Sequence, residues 1–296
     1  MILFSDTIPQ WKVNFHTHTT RSDGNVTPEE AIRLYGERGY DALCITDHRK
    51  CYDTLSGSPL VLNGIELDYT YPHEVIHLVA VGLERSFSPD ELQHALVSPH
   101  EGIRIAHACG GCVIFAHPAW SLNTAETLMA YPEADAVEVF NSISEPPYNA
   151  QRGDASAILD GAFSRGCRFP LCANDDAHFY VHDLAKSWTM VAASDCTRQA
   201  LMKAMRGGQI YASQGPVFRE IALEGDTLRI RTSPVAQVMF FSDKCWVSGR
   251  TREGTDIMES AYTMNGESFV RVRITDIRGC HAWSSPIFGQ FVSCGE

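Results

Sequence analysis

Residues 11–24 read WKVNFHTHTTRSDG: a short apolar run, Val13 to Phe15, ends on His16-Thr17-His18, and Asp23 follows five residues on. Alternate residues of an extended segment point the same way, so His16 and His18 can close on one ion from the same side. The arrangement recurs downstream. Thr46-Asp47-His48 follows Ala42 to Ile45, Glu66 ends Val61 to Ile65, His117 follows Cys112 to Ala116, and Asp176-Ala177-His178 follows Phe169 to Ala173. Polar groups placed repeatedly at the carboxyl ends of apolar strands predict one convergent cluster, because that edge of an α/β barrel carries the active site.

Helical patterns fill the gaps. Thr27-Pro28-Glu29-Glu30 reads as an N-cap with proline at the first helical position, and Arg38-Gly39 as the stop. Ser194-Asp195 opens another helix, with Ala200, Leu201, Ala204 and Met205 on its buried face and Gly207-Gly208 at its end. Two further strands are expected at Leu78 to Gly82 and Ala136 to Val139. His77 begins a strand instead of ending one, which implies an antiparallel hairpin of Ile65 to Asp68 with His77 to Val81. Asn141 stands at another strand end and is expected to face the cleft. After Gly215-Pro216 polar and apolar residues alternate between turn formers such as Asn265-Gly266. The chain therefore divides into an α/β unit, 1–214, and a small antiparallel β domain, 215–296.

The 296 residues carry 24 Lys+Arg against 36 Asp+Glu, a formal charge of −12, which opposes binding to duplex nucleic acid. Small anionic substrates stay open, since bound cations can invert the local field. No run approaches the roughly 20 apolar residues of a membrane span, and Met1 to Gln10 lacks the pattern of a signal peptide, so a cytoplasmic protein is expected. The ten cysteines (Cys44, Cys51, Cys109, Cys112, Cys167, Cys172, Cys196, Cys245, Cys280 and Cys294) are scattered, several in apolar runs, which suits reduced, buried thiols. Cys109-Gly110-Gly111-Cys112 closes a helix and enters a strand, the wrong placement for a redox pair. Trp188, Trp246 and Trp283 are expected in core or interdomain packing. The composition leaves a homo-oligomer open.

The motifs HTHTTRSDG, ITDH, GIELD, HLVAVG, FAHP and NDDAH, in that order over about two thirds of the chain, resemble the PHP (polymerase and histidinol phosphatase) metal-dependent phosphoesterases. The tail, through YASQGP and AWSSPI, is similar to a carbaryl-type metallohydrolase group of the same superfamily. The resemblance implies a distorted seven-stranded β/α barrel, TIM-like, followed by the β-sandwich-like tail. It also implies two or three divalent ions, Zn, Mn or Fe. His16, His18, Glu66 and Asp176 would hold one ion, and Glu66 would bridge to a second completed by His77 and His117. Asp23, His48 and His178 would hold a third, giving a trinuclear centre with Asp23 where several relatives have His; an oxygen ligand there favours Mn or Fe over Zn.

On this reading the protein is a metal-dependent hydrolase, a phosphoesterase that releases phosphate from a small phosphorylated substrate by attack of a metal-bridging hydroxide. Glu66, Asp176 and His178 are the catalytic candidates, with Asp47 a second proton handler. Arg21, Arg49 and Asn141 are the candidates for substrate binding, and Lys50 is a further basic neighbour. Two alternatives stand beside it: a carbamate, ester or amide metallohydrolase, because the same chemistry attacks a carbonyl, and a non-catalytic metal-binding PHP module. The second predicts missing ligands, and all nine positions are filled.

Overall fold

The first helix begins where its sequence says. The Thr27 hydroxyl accepts the Glu30 N–H at 3.3 Å, and Pro28 occupies the first turn, where its missing donor costs nothing. The computed structural model describes residues 2–53 and 56–288. In chain order the elements are β1 (Ile2–Ser5), β2 (Gln10–Asn14), α1 (Pro28–Gly36), β3 (Ala42–Ile45), β4 (Leu60–Thr70) and β5 (Val75–Val81). Next come α2 (Pro89–Ala95), α3 (Pro99–Ala108), β6 (Cys112–Phe115), α4 (Ala125–Met129), β7 (Ala136–Asn141), α5 (Ser156–Phe163) and β8 (Leu171–Asn174). Then follow β9 (Trp188–Ala192), α6 (Arg198–Arg206) and β10 (Ile210–Ser213), and finally β11 (Phe218–Glu224), β12 (Thr227–Ser242), β13 (Thr251–Thr263), β14 (Phe269–Thr275), β15 (His281–Ser284) and β16 (Ile287–Phe288).

The result is a mixed α/β fold built on one large sheet. Strands β2, β3 and β4 pair in parallel, β4–β5 and β5–β6 are antiparallel, and β6, β7 and β8 are parallel again. The end of β8 returns to the end of β2: Asp176 N–H donates to His16 O at 3.0 Å and His18 N–H to Ala177 O at 3.1 Å. Just below, two buried amides stand in for a backbone ladder. Phe15 N–H donates to Asn174 Oδ1 at 2.8 Å, and Asp175 N–H to Asn14 Oδ1 at 2.9 Å.

Strands buried on both faces read as unbroken apolar runs. In β6, Val113 and Phe115 pack with Ile103 and Ala106 of α3, while Cys112 and Ile114 pack with Val13, Leu62 and Cys172 of neighbouring strands. Leu201, Met202 and Met205 of α6 close that second cluster. No helix among the described residues is long and apolar enough to cross a membrane.

The tail strands are antiparallel, and β12 changes partners along its length: Thr227 to Arg231 lie between β11 and β13, Gln237 to Met239 between β13 and β14. They continue the sheet, since β15 pairs with β10 and β1 with β11. Two contacts tie the tail to the helical layer and to β7. Arg271, fully buried, forks onto Asp160 of α5 at 2.5 and 2.6 Å, and Trp283 stacks on Phe140 with ring centres 5.6 Å apart.

Several boundaries differ from the sequence reading. Glu66 does not end its strand: β4 runs on to Thr70 because its second half pairs with β5, Glu66 opposite Val79 and Asp68 opposite His77. His77 is accordingly inside β5 rather than at its start. Helix α6 begins at Arg198, because Thr197 rather than Ser194 caps it by accepting the Ala200 N–H. Trp246 lies in the connection between β12 and β13 and is 96% exposed, and Cys245 beside it is an exposed thiol. The other eight described cysteines are unpaired and buried or half-buried; Cys294 lies outside the described residues.

Candidate metal centre

The turn after β2 carries His16 and His18 inward, and neighbouring strands bring the remaining donors to them. His16 Nε2 stands 3.2 Å from both Glu66 Oε2 and Asp176 Oδ1, and His18 Nε2 stands 2.9 and 3.1 Å from the same two oxygens. Glu66 faces two ways. Its Oε1 lies 2.8 Å from His77 Nδ1 and 3.4 Å from His117 Nε2, which makes a second group. A third group forms where Asp23 Oδ2 lies 3.4 Å from His178 Nε2 and 3.6 Å from His48 Nε2, with Asp23 Oδ1 3.4 Å from His18 Nδ1. The structure thus brings together all nine side chains singled out in the sequence, in three groups whose donor atoms lie within 4.8 Å of one another.

The backbone bends to make this happen. Arg49, His117 and Asp176, each beside or within a group, have φ of 57°, 30° and 53°, a region that side-chain-bearing residues seldom adopt. Buried carboxylates brace the loops. Asp47 accepts from the backbone N–H and the hydroxyl of both Thr19 and Ser22 and so holds the HTH turn. Asp175 accepts from Ala185, Lys186 and Ser187 N–H, and Asp183 from His178 and Phe179 N–H.

Glu138, which sequence reading gave no role, touches two groups at once. Its Oε1 lies 3.0 Å from His16 Nδ1, and its Oε2 accepts the His117 N–H at 2.9 Å. A lone carboxylate inside the apolar run of β7 was the available signal. Burial opposes ionisation of His16, His18, His77, Glu66 and Asp176, and their mutual pairing overcomes it. Burial pushes the His16 imidazole down, yet Asp176, Glu66 and Glu138 hold it up at about 10. His18 and His77 are likewise raised against burial, by Asp176, Asp23 and Glu66 in one case and chiefly by Glu66 in the other. Glu66 and Asp176 are held below the carboxylate range by the facing imidazoles, despite burial.

The donors fit a cation. Asp176 Oδ1 is buried without a hydrogen-bond partner among the described residues, although the imidazoles of His16 and His18 crowd around it. Converging lone pairs with nothing donated to them are what a dication would satisfy, and an all-imidazole and carboxylate set suits Zn, Mn or Fe.

Above the groups opens a cleft of about 330 Å³, lined by Asp23, His48, Glu66, His77, Asp176 and His178 and walled by Trp120, Ile143, Tyr148, Asn149 and Phe179. Tyr148 and Phe179 stack with centroids 4.2 Å apart, and the Trp120 indole N–H donates to Asn149 Oδ1 at 2.9 Å. These wall residues come from loops without periodicity, so the sequence offered no sign of them. Arg21, Arg49 and Asn141 are not part of this lining. The Arg21 guanidinium lies 4.1 Å from the Tyr52 ring centre, Arg49 forks onto Asp68, and the buried Asn141 amide donates to Glu138 Oε2 and Asp176 Oδ2. Lys50 Nζ donates to Arg21 O. A wider groove of about 590 Å³, between Phe4, Arg168, Arg206 and Ser285, has no imidazole or carboxylate in its described lining.

Residues 14–81 match the family model of the PHP domain. Over 80 residues the chain is 33% identical to the 5'-3' exoribonuclease Rnm of Escherichia coli (strain K12) and, equally, to that of Salmonella typhimurium (strain LT2). Those matches cover 24% of this chain and 27% of each relative. A crystal structure of a two-domain protein from Bacteroides vulgatus, containing a predicted PHP-like metal-dependent phosphoesterase, aligns over 92% of both chains with a TM-score of 0.55 and 16% identity, which shows a shared fold. Six of the nine converging side chains (His16, His18, Asp23, His48, Glu66 and His77) fall inside the segment that matches the PHP domain model.

Proposed function

We propose that this chain is a metal-dependent phosphoesterase acting on a small phosphorylated substrate in the cleft above the three donor groups. The convergence of nine imidazole and carboxylate side chains on the cleft floor carries the reading. His16, His18, Glu66 and Asp176 would hold one ion, Glu66, His77 and His117 a second, and Asp23, His48 and His178 a third. Bound there, divalent ions would lower the pKa of water and neutralise charge on the phosphate. Glu66 spaces the first two groups by presenting one oxygen to each. Asp176 is oriented by the Asn141 amide, and His178, with Nδ1 against Asp176 O at 2.8 Å, would offer Nε2 to the third ion, so that the leaving oxygen would take its proton from water in the cleft. Trp120, Tyr148 and Phe179 exclude water and would seat a flat or apolar portion of the substrate.

The architecture read with this function is the distorted seven-stranded barrel, β2 to β8, with the division at 214/215 marking the tail. Unpaired cysteines suit a reducing compartment such as the cytoplasm. A second reading, hydrolysis of a carbamate or carboxylic ester, is favoured by the lack of any Lys or Arg in the described cleft lining.

The test is product release by Mn- or Zn-loaded protein from phosphomonoesters, phosphodiesters, short 5'-phosphorylated RNA, carbamates and carboxylic esters, with Asp176→Asn as control. Phosphate release lost in the variant supports the proposal. Carbamate or ester cleavage without phosphate release replaces it with the second reading.

A further inference from the structure

We infer that Arg49 and Asp68 form a latch that holds His48 in place for the third cation. The inference rests on the nine-ligand reading given above and concerns residues outside that set.

An imidazole that offers one nitrogen to a cation carries its proton on the other, and that N–H needs an acceptor to fix the ring. His48 Nε2 faces Asp23, at 3.6 Å, so Nδ1 is the nitrogen that needs support. Two carboxylates stand near Nδ1: Glu66 Oε2 at 3.4 Å and Asp68 Oδ1 at 3.6 Å. Glu66 Oε2 already faces His16 and His18 in the first group. Asp68 is the acceptor left over, and His48 Nδ1 is buried without a hydrogen bond among the described residues. A shift of a few tenths of an ångström closes the distance.

Asp68 sits two residues beyond Glu66 on β4, opposite His77, with 23% of its side chain exposed. An aspartate so placed would turn freely unless held. Arg49 holds it: Nε donates to Oδ1 at 2.9 Å and Nη2 to Oδ2 at 2.5 Å, a two-point fork that fixes the carboxylate plane. The left-handed backbone at Arg49, φ 57°, and the bond from its N–H to Glu66 O at 2.9 Å turn the chain back over β4 directly after His48. The strain at this residue thus places the guanidinium over Asp68 rather than over the cleft.

The experiment is a Mn²⁺ titration of chelator-stripped full-length chain, with bound ions counted by elemental analysis and free Mn²⁺ by its paramagnetic resonance signal. Wild type, His48→Ala, Asp68→Asn and Arg49→Gly are compared; glycine keeps the left-handed backbone and removes only the fork. The expected result is three ions in wild type and two in His48→Ala. In Asp68→Asn and Arg49→Gly the first two ions bind as in wild type, the third binds about 10- to 100-fold more weakly, and the thermal midpoints of the stripped proteins are unchanged. If both variants take up three ions with wild-type affinity, the latch is an ordinary surface pair and the inference is overturned while the nine-ligand reading stands. If wild type takes up fewer than three, or His48→Ala as many as wild type, the third group is no metal site and both are overturned.

Discussion

Glu138 Oε1 lies 3.0 Å from His16 Nδ1, with both side chains fully buried, so this carboxylate fixes which nitrogen of His16 faces the first donor group. Its other oxygen takes the His117 N–H and the Asn141 amide. Glu138→Gln keeps the shape and loses the charge. Metal affinity is expected to fall about 10- to 100-fold, measured by competition with a chromophoric chelator; unchanged affinity would show that His16 is oriented without it.

Glu66 belongs to two groups and His77 to one. Glu66→Gln should therefore lose two ions per chain by elemental analysis, and His77→Ala one. Chelation of the wild type should lower its thermal midpoint, and re-addition of Mn²⁺ at 100 times its dissociation constant should restore about 2.7 kcal/mol. Equal losses in the two variants would argue against a shared Glu66.

Phe179 is 43% exposed yet stacks on Tyr148 at the cleft wall. Phe179→Ala is expected to raise KM about tenfold, within the 1–3 kcal/mol range of a stacked ring, and to leave kcat nearly unchanged. A fall in kcat with constant KM would move Phe179 from substrate seating to the chemistry.

Arg271 is fully buried and its fork to Asp160 ties β14 to α5. Asp160→Ala strands that charge and should cost about 3 kcal/mol, the low end for a broken buried pair because Asp160 keeps some solvent contact. Asp160→Ala with Arg271→Met should regain most of it. Urea unfolding measures both.

Glu267 is 1% exposed, and against that burial the Tyr262 hydroxyl at 2.5 Å and the Asn265 N–H hold its carboxyl below the ordinary range. A depressed carboxylate contributes stability above its unfolded pKa and loses it as pH falls through the folded one. Glu267→Gln should therefore be less stable than wild type by about 1–2 kcal/mol at pH 7, and the gap should close as pH drops below about 4.5. A gap that stays constant to pH 3 would refute the charge contribution.

What could be read from residue order alone was local or periodic. Thr27-Pro28 marks a helix start because a cap acts over three residues, and the placing of histidines and carboxylates beside apolar runs announces a cluster because a strand delivers its end to one edge of the sheet. The pairing of Glu66 with His77 followed from the same pattern, although the register extended β4 past Glu66. The tertiary structure alone decided the partners far apart in sequence. His16 meets Glu138 across 122 positions, and Arg49 takes Asp68 instead of the cleft. Such contacts depend on how strands stack and where a strained residue turns the chain, and neither leaves a trace within a few residues. The aromatic wall, drawn from loops on either side of β7 and after β8, was hidden for the same reason.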